Sequence, residues 1–445
     1  MGSIYSKACN FFGETGMIPR DTRRSATGNL FKNDLKDFIN MKHPLVVLAE
    51  EVNWEKLEKE FGQYYGDCGR PGLPIRLTVG LHLLKYIYAL SDEDVCARWE
   101  ENPYFQYFCG EERFQFRFPL ERSSLTHFRK RIGEDALKTL LQESLAVAYK
   151  RGKITLKDIR RVAIDTTVQP KAIAHPTDYG LLWKAANNVR NVAKKAGITL
   201  RQSYERVLKR ATIQVGRYLH AKQMKRAKKV VKYMKVRLGR LIRDVERKTQ
   251  NHLEKLPEKI IQQINKTLLK AKHIIHQKRG DPDYMYSWHR PEVECIGKGK
   301  AKTPYEFGCK VSLATNLHTK AGGKHFVLHA EALSGKPYDG HTLEGALKDL
   351  EKIVGVPPTH VFVDKGYKGH KQKNPGTQIF LSGQKRGVNP KIKREIKRRS
   401  VIEPIIGHVK NDSHMGRNYL KGQKGDQINA LLSAIGFNFR QLLTA

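Results

Sequence analysis

The chain has 445 residues, with 82 Lys or Arg against 44 Asp or Glu, a formal net charge of +38 and a hydrophobic fraction of 40%. That length and apolar content suffice for two or three compact domains with their own cores, whereas so large a charge repels itself and usually accompanies a polyanionic partner, nucleic acid first of all. No run of about 18 apolar residues is present to span a bilayer, and the six cysteines (Cys9, Cys68, Cys96, Cys109, Cys295, Cys309) include no C-x-x-C pair, which argues against a membrane protein, a disulfide scaffold and a tetrahedral zinc site, and for a reducing cytoplasm.

Residues 1–40 are mixed polar and glycine-containing, and are expected to form a poorly ordered arm. The opening Met1-Gly2-Ser3-Ile4-Tyr5-Ser6 fits a myristoylation pattern, but so short a match arises often by chance. From Ile75 the segment IRLTVGLHLLKYIYAL sets Leu77, Leu81, Leu84 and Ile87 at helical spacing, and Ser91 caps a second helix, DEDVCARWEE. A third helix is predicted over SSLTHFRKRIGEDALKTLLQESLAVAYKRG, with Arg129, Lys130 and Arg131 displayed near its start. Together these define a helical N-terminal domain, 41–158, in which Arg129 and Arg131 are candidate DNA contacts. A plain helical bundle with a basic face has the same pattern.

The pattern changes at KDIRRVAIDTTVQP, where β-branched residues form a short apolar run, the mark of a buried strand. Over 178–284 the helical period returns, and Val231, Met234, Leu238, Leu241 and Val245 form a heptad-like seam, with a break expected near Pro257. Residues 181–280 hold 28 Lys or Arg against five Asp or Glu, so +23 of the charge lies in this block, a concentration that points to phosphates. Strands return at YEFGCKVSLATN and KHFVLHAEALSG, followed by a helix, TLEGALKDLEKIVG, and a further strand, HVFVD. With the helical block removed, the order is a three-strand meander, a crossover helix and a fourth strand, which opens a ribonuclease-H-like α/β fold. The expected architecture is thus α/β: a catalytic domain over 159–445, interrupted by the basic helical insertion 178–284 and preceded by the all-α domain.

Metal-dependent phosphoryl transfer needs carboxylates from several elements converging at one sheet edge, because magnesium takes oxygen ligands. Asp165 ends VAID and Asp364 ends VFVD, so neighbouring strands bring the two side by side. Either alone is as readily a turn former. For the third acid, Glu403 in RRSVIEPIIGHVK competes with Glu395, Glu292, Asp339 and Asp412, and Ser400-x-x-Glu403 also reads as a capping box. His341, His370 and His408 lie near the acids in sequence, and Trp183 and Trp288 flank the basic block; structural roles suit all five.

The stretches GRPGLPIRLTVGLHLLKYIYALSDEDVCARWEENPYFQYFCGE, SSLTHFRKRIG, AIDTTVQPKAIAHPTD, PYEFGCKVSLATN, GKPYDGHTL, VDKGYKGH and RRSVIEPIIGHVKND together resemble bacterial insertion-sequence transposases, of the group named after insertion sequences five and four. The resemblance runs in order through most of residues 65–440. It implies a ribonuclease-H-like domain with catalytic, metal-holding Asp165, Asp364 and Glu403, magnesium or manganese as cofactor, two ions per site, and Glu403 as the third acid. The related pattern Y-x2-R-x3-E-x6-K is met by Arg399, Glu403 and Lys410, which makes Arg399 and Lys410 phosphate-binding candidates, while Ile396 stands where the tyrosine belongs.

The function expected is cleavage of insertion-sequence ends and strand transfer into target DNA. Its partners are double-stranded DNA, both terminal inverted repeats and target, and a second copy of the chain as a homodimer on DNA, with no membrane and a nucleoid-associated cytoplasmic location. A decayed, non-catalytic DNA binder and a nuclease without strand transfer are the rival readings.

Overall fold

The computed structural model describes residues 34–66, 72–251, 256–299, 304–370 and 376–444. The myristoylation pattern, Cys9 and Cys68 lie outside them, as does most of the expected arm; from Leu35 the chain is already helical, and Leu35 is buried. The chain divides into two compact units, one of Met1–Pro170 with Cys309–Ala445, the other of Lys171–Gly308.

In the first unit, helices α1 (Leu35–Phe38), α2 (Pro44–Glu51), α3 (Trp54–Gly62), α4 (Ile75–Ile87), α5 (Asp92–Glu101) and α6 (Pro103–Phe108) precede α7 (Ser123–Arg131), α8 (Glu134–Lys150) and α9 (Leu156–Ile159). Ser91 caps α5 through a full capping box with Asp94. The segment expected as one helix from Ser123 is two, because the chain turns extended at Ile132 and Gly133. At Gly133 the Tyr64 ring closes over the backbone, and a β-carbon there would displace the tyrosine hydroxyl.

The sheet consists of β1 (Arg161–Pro170), β2 (Glu294–Gly297), β3 (Tyr305–Asn316), β4 (Val327–Leu333), β5 (His360–Val363) and β6 (Gln378–Leu381), in the order β2-β3-β1-β5-β6, with β4 also on β3. The boundary between the units falls within β3: its first residues pair with β2 in the second unit, and Lys310 to Thr315 pair with β4 in the first. β1 and β5 run parallel, with Ile164 opposite Val363, and β5 runs parallel to β6. The crossover between β4 and β5 is helix α14 (Asp339–Val354), closed by Gly355 in the left-handed conformation. Before it, in the second unit, come α10 (Asp178–Lys195), α11 (Glu205–His220), α12 (Met224–Gln250) and α13 (Glu258–His276).

Three helices end the chain: α15 (Pro390–Arg398), α16 (Ile402–Asp412) and α17 (Gly422–Leu443). The last is buried along most of its length. Asn438 accepts from the Val327 amide at 2.8 Å and donates to its carbonyl at 2.9 Å, and Tyr86 donates to Asn429, so hydrogen bonds from buried amide side chains tie the helix to both β4 and α4.

The boundary expected at 158 is not one. Residues of α2 to α8, of β1, β3, β4 and β5, and of α17 share one hydrophobic cluster, because α4 and α8 bury their apolar faces on α17 instead of on one another alone. The second unit has a separate cluster, built on Met234, Leu238, Leu241 and Val245 of the expected seam with Ala185, Val189, Ile264 and Leu268. It is wider than 178–284 because β2 and the start of β3 belong to it.

Candidate active site

Asp165 and Thr166 are the two half-buried residues of β1 between the buried triplets 162–164 and 167–169. Because Ile164 is paired with Val363, the next residues, Asp165 and Asp364, stand side by side on adjacent parallel strands. Asp364 leaves the sheet as the residue before a 3-10 turn, Lys365–Tyr367. Glu403 lies in the first turn of α16, which continues from α15 through a 3-10 turn at Arg399–Val401.

A capping role for Glu403 does not hold. The residue before α16 is Val401, which makes no side-chain cap, and the Ser400 hydroxyl donates instead to the Lys397 carbonyl at 3.2 Å. Continuation of α15 into α16 leaves no free helix start for a capping box, so the Glu403 carboxylate is available.

One guanidinium joins the three acids. Arg399 reaches Asp165 at 3.2 Å and Asp364 and Glu403 at 3.6 Å each. Its side chain is 12% exposed, against 23% for Asp165, 49% for Asp364 and 64% for Glu403, so the cluster grades from a buried base to an open rim. Burial pushes the Asp165 carboxyl above its ordinary value; the Thr166 amide and Arg399 oppose that, while the charges of Asp364 and Asp339 add to it.

Asp339 is a fourth acid at the cluster, one that spacing in the sequence could not set above its rivals. It lies at the start of α14 and accepts from Thr166 Oγ1 at 2.8 Å and from Lys310 Nζ at 2.7 Å, tying α14 to β1 and β3 beside Asp165. No local signal marks it, because both bonds are long-range. Burial, and then the charges of Asp165 and Asp339, raise the hydroxyl pKa of the enclosed Tyr367. Three more acids that compete with Glu403 in the sequence are engaged elsewhere: Glu395 is buried with Arg161 and His318, Asp412 pairs with His408, and Glu292 belongs to the second unit, with Lys171.

Of the phosphate candidates, Arg399 faces the acids, and Lys410 follows on α16, half-buried. Arg129 is a correction: it is buried, with Nη1 and Nη2 on the Asp92 carboxylate at 2.9 and 2.5 Å and a further bond to Thr126, so its charge is spent inside the unit. Helical phase turns it inward, whereas Arg131 is exposed and stacks on Tyr65. His341 is exposed against Tyr338, His370 is half-buried, Trp288 is in the second core and Trp183 packs under Arg190.

The donor set is all oxygen, which suits a hard divalent cation, and the acids already converge on one positive group. Among the described residues no three His, Cys, Asp or Glu side chains form a ready-made ligand group, since Arg399 stands between the acids.

Two family models match the chain: "Transposase domain (DUF772)" over residues 33–131 and "Transposase DDE domain" over 273–439. A protein of Rhizobium meliloti, described as an uncharacterized protein of the nfe locus, is 48% identical over 199 residues, 45% of this chain and 96% of that protein. No solved structure matches. These findings define an enzyme of DNA transposition. The chain belongs to the DDE transposases of insertion sequences, a family with a ribonuclease-H-like fold that uses divalent metal ions and binds DNA. The mixed sheet with its helices is compatible with that fold, and among the described residues no helix is long and apolar enough to cross a membrane.

Proposed function

We propose that this chain cuts the ends of its insertion sequence and joins them to target DNA at the cluster of Asp165, Asp364 and Glu403. The observation that carries the reading is the convergence of these acids, far apart in the chain, on the single Arg399 guanidinium. Two divalent ions, magnesium or manganese, held by the three carboxylates would supply Lewis acidity to the phosphodiester and acidify the attacking water. Asp165, fixed on a central strand and tied through its neighbour Thr166 to Asp339, offers the rigid oxygen; Asp364 and Glu403 reach in from the open rim. Arg399 neutralises the acids in the absence of other cations and, released from them, presents a planar fork to phosphate oxygens, with Lys410 a second phosphate ligand further along α16.

Cleavage leaves a 3′ hydroxyl that serves in the same pocket as nucleophile toward target DNA, so one cluster carries both steps. Within this reading the helical block of 178–284 is an insertion into the ribonuclease-H-like domain and the N-terminal region is all-α. The enzyme belongs to the group of insertion sequences five and four, acts on terminal inverted repeats as a homodimer, and works on nucleoid DNA in the cytoplasm.

A strand-transfer assay with magnesium tests this, using wild type beside Asp165→Ala, Asp364→Ala and Glu403→Gln. Wild type should yield joined product, and each variant should lose cutting and joining together by at least about 100-fold. Cut but unjoined DNA from wild type points to a nuclease; full activity in all three variants removes the acids from the chemistry.

A further inference from the structure

The second unit carries a feature that the cutting site does not use. Helix α12 is 27 residues long, and its buried seam of Ala227, Met234, Leu238, Leu241 and Val245 faces the unit's own core. On the face turned away, Lys225, Lys229, Lys232, Val236, Arg240, Arg243 and Arg247 recur at intervals of four or three residues, and all seven are exposed. Steps of that size keep residues on one side of a helix. The row therefore forms a straight ridge of six cations, with Val236 as its one apolar member.

The ridge is not neutralised from within. The acids of α12 are Asp244 and Glu246. Asp244 is taken by the Arg201 amide, Arg247 and Lys248, and Glu246 by Lys272. Among the described residues only Arg247 of the ridge cations shares an acid, and the rest make no ion pair. From Lys225 to Arg247 the ridge spans about 33 Å at the helical rise, close to the ~34–36 Å of one duplex turn. A row of like charges along one helix destabilises that helix by itself, so its retention calls for an extended polyanion.

We infer that this face of α12 is a sequence-independent grip on the phosphate backbone of duplex DNA. The ridge holds no Asn, Gln, Asp or Glu with which to pair base edges, only Lys and Arg for phosphates and one valine. The inference rests on the proposed action on DNA and adds where, and how indifferently to sequence, the duplex is held.

The test uses the full chain and duplexes of equal length, one with an element end and one unrelated, titrated over a range of salt. A triple variant, Lys225→Gln, Lys229→Gln and Lys232→Gln, should flatten the slope of log affinity against log salt by about 0.9 for each phosphate no longer neutralised, roughly two to three units in all, on both duplexes alike. A control triple of other exposed cations, Lys259→Gln, Lys266→Gln and Lys278→Gln, should change it by less than about one unit. The charge-keeping triple Lys225→Arg, Lys229→Arg and Lys232→Arg should restore the wild-type slope, which separates lost charge from a damaged helix.

Equal losses from ridge and control triples, an unchanged slope in the ridge triple, or loss confined to the element-end duplex would each overturn the inference. Cutting and joining by wild type in the same preparations reports separately on the proposed function, so the ridge can fail while that reading stands.

Discussion

Arg399 makes the acids of the cluster mutually tolerable, because three carboxylates with no cation among them repel one another inside a partly buried recess. Arg399→Ala should lower stability by about 1–2 kcal/mol in metal-free buffer, the modest figure reflecting the exposure of Asp364 and Glu403 to solvent. Added magnesium should then raise the melting temperature of the variant more than that of wild type, since the ion replaces a missing charge. Equal shifts in the two proteins would refute this account. The buried pair of Arg129 with Asp92 makes a second prediction. Burial by itself would raise the Asp92 carboxyl, but bonds from Arg129 and the charge of Lys85 outweigh it and hold the group well below its ordinary value. A carboxyl depressed in this way contributes stability that is complete above its unfolded pKa, near 3.8, and is lost as pH falls toward the folded value. Urea unfolding from pH 5 down to pH 2 should therefore show a loss in wild type that is much smaller in Asp92→Asn. At neutral pH that variant should be weaker by about 3 kcal/mol, because Arg129 is left buried and unpaired.

At the scale of elements, the strands and their acids were legible because a short apolar run ending in aspartate occurs twice, and parallel pairing of two such runs aligns the acids without further information. The proposed third acid, Glu403, was not legible from local pattern. Whether Glu403 caps a helix or faces a cleft depends on whether a helix starts at Ser400, and the 3-10 turn that fuses α15 to α16 is set by tertiary packing. The resemblance to known transposases, not the residue chemistry, selected it. Arg129 misled for a similar reason: three consecutive bases on one helix point in three directions, and only packing reveals which one turns inward. Close approach of α17 to α4 gives a prediction here. A β-carbon on Gly436 would lie 2.6 Å from the Tyr86 β-carbon and 2.8 Å from its backbone. Gly436→Ala should destabilise the protein by about 1–3 kcal/mol in chemical denaturation, despite the gain in helix propensity. A neutral or stabilising result would mean the two helices are free to separate.

For the whole molecule the dominant quantity is the charge of +38, of which +23 falls in 181–280. If six to ten phosphates are neutralised on binding, affinity for DNA should fall by about 10³ to 10⁵ between 50 and 200 mM salt. Filter binding over that range measures it, and a loss below tenfold would mean that most of this charge never meets DNA. The domain plan was legible only in part, because composition separates basic helices from strands but carries no record of which apolar faces meet. A single cluster from α2 to α17 dissolves the boundary that a change of pattern at 158 implies.

Placement of α17 at the heart of that cluster also has a temporal side. The helix that completes the core begins at Gly422, well downstream of β1, so at ~5–20 residues per second Asp165 waits roughly ten seconds or more after emerging before the packing that fixes it can form. The unit of 171–308, contiguous in the chain and closed around its own apolar seam, has no such wait. During translation the unit that carries the basic ridge can thus close before the packing around the acid cluster is complete.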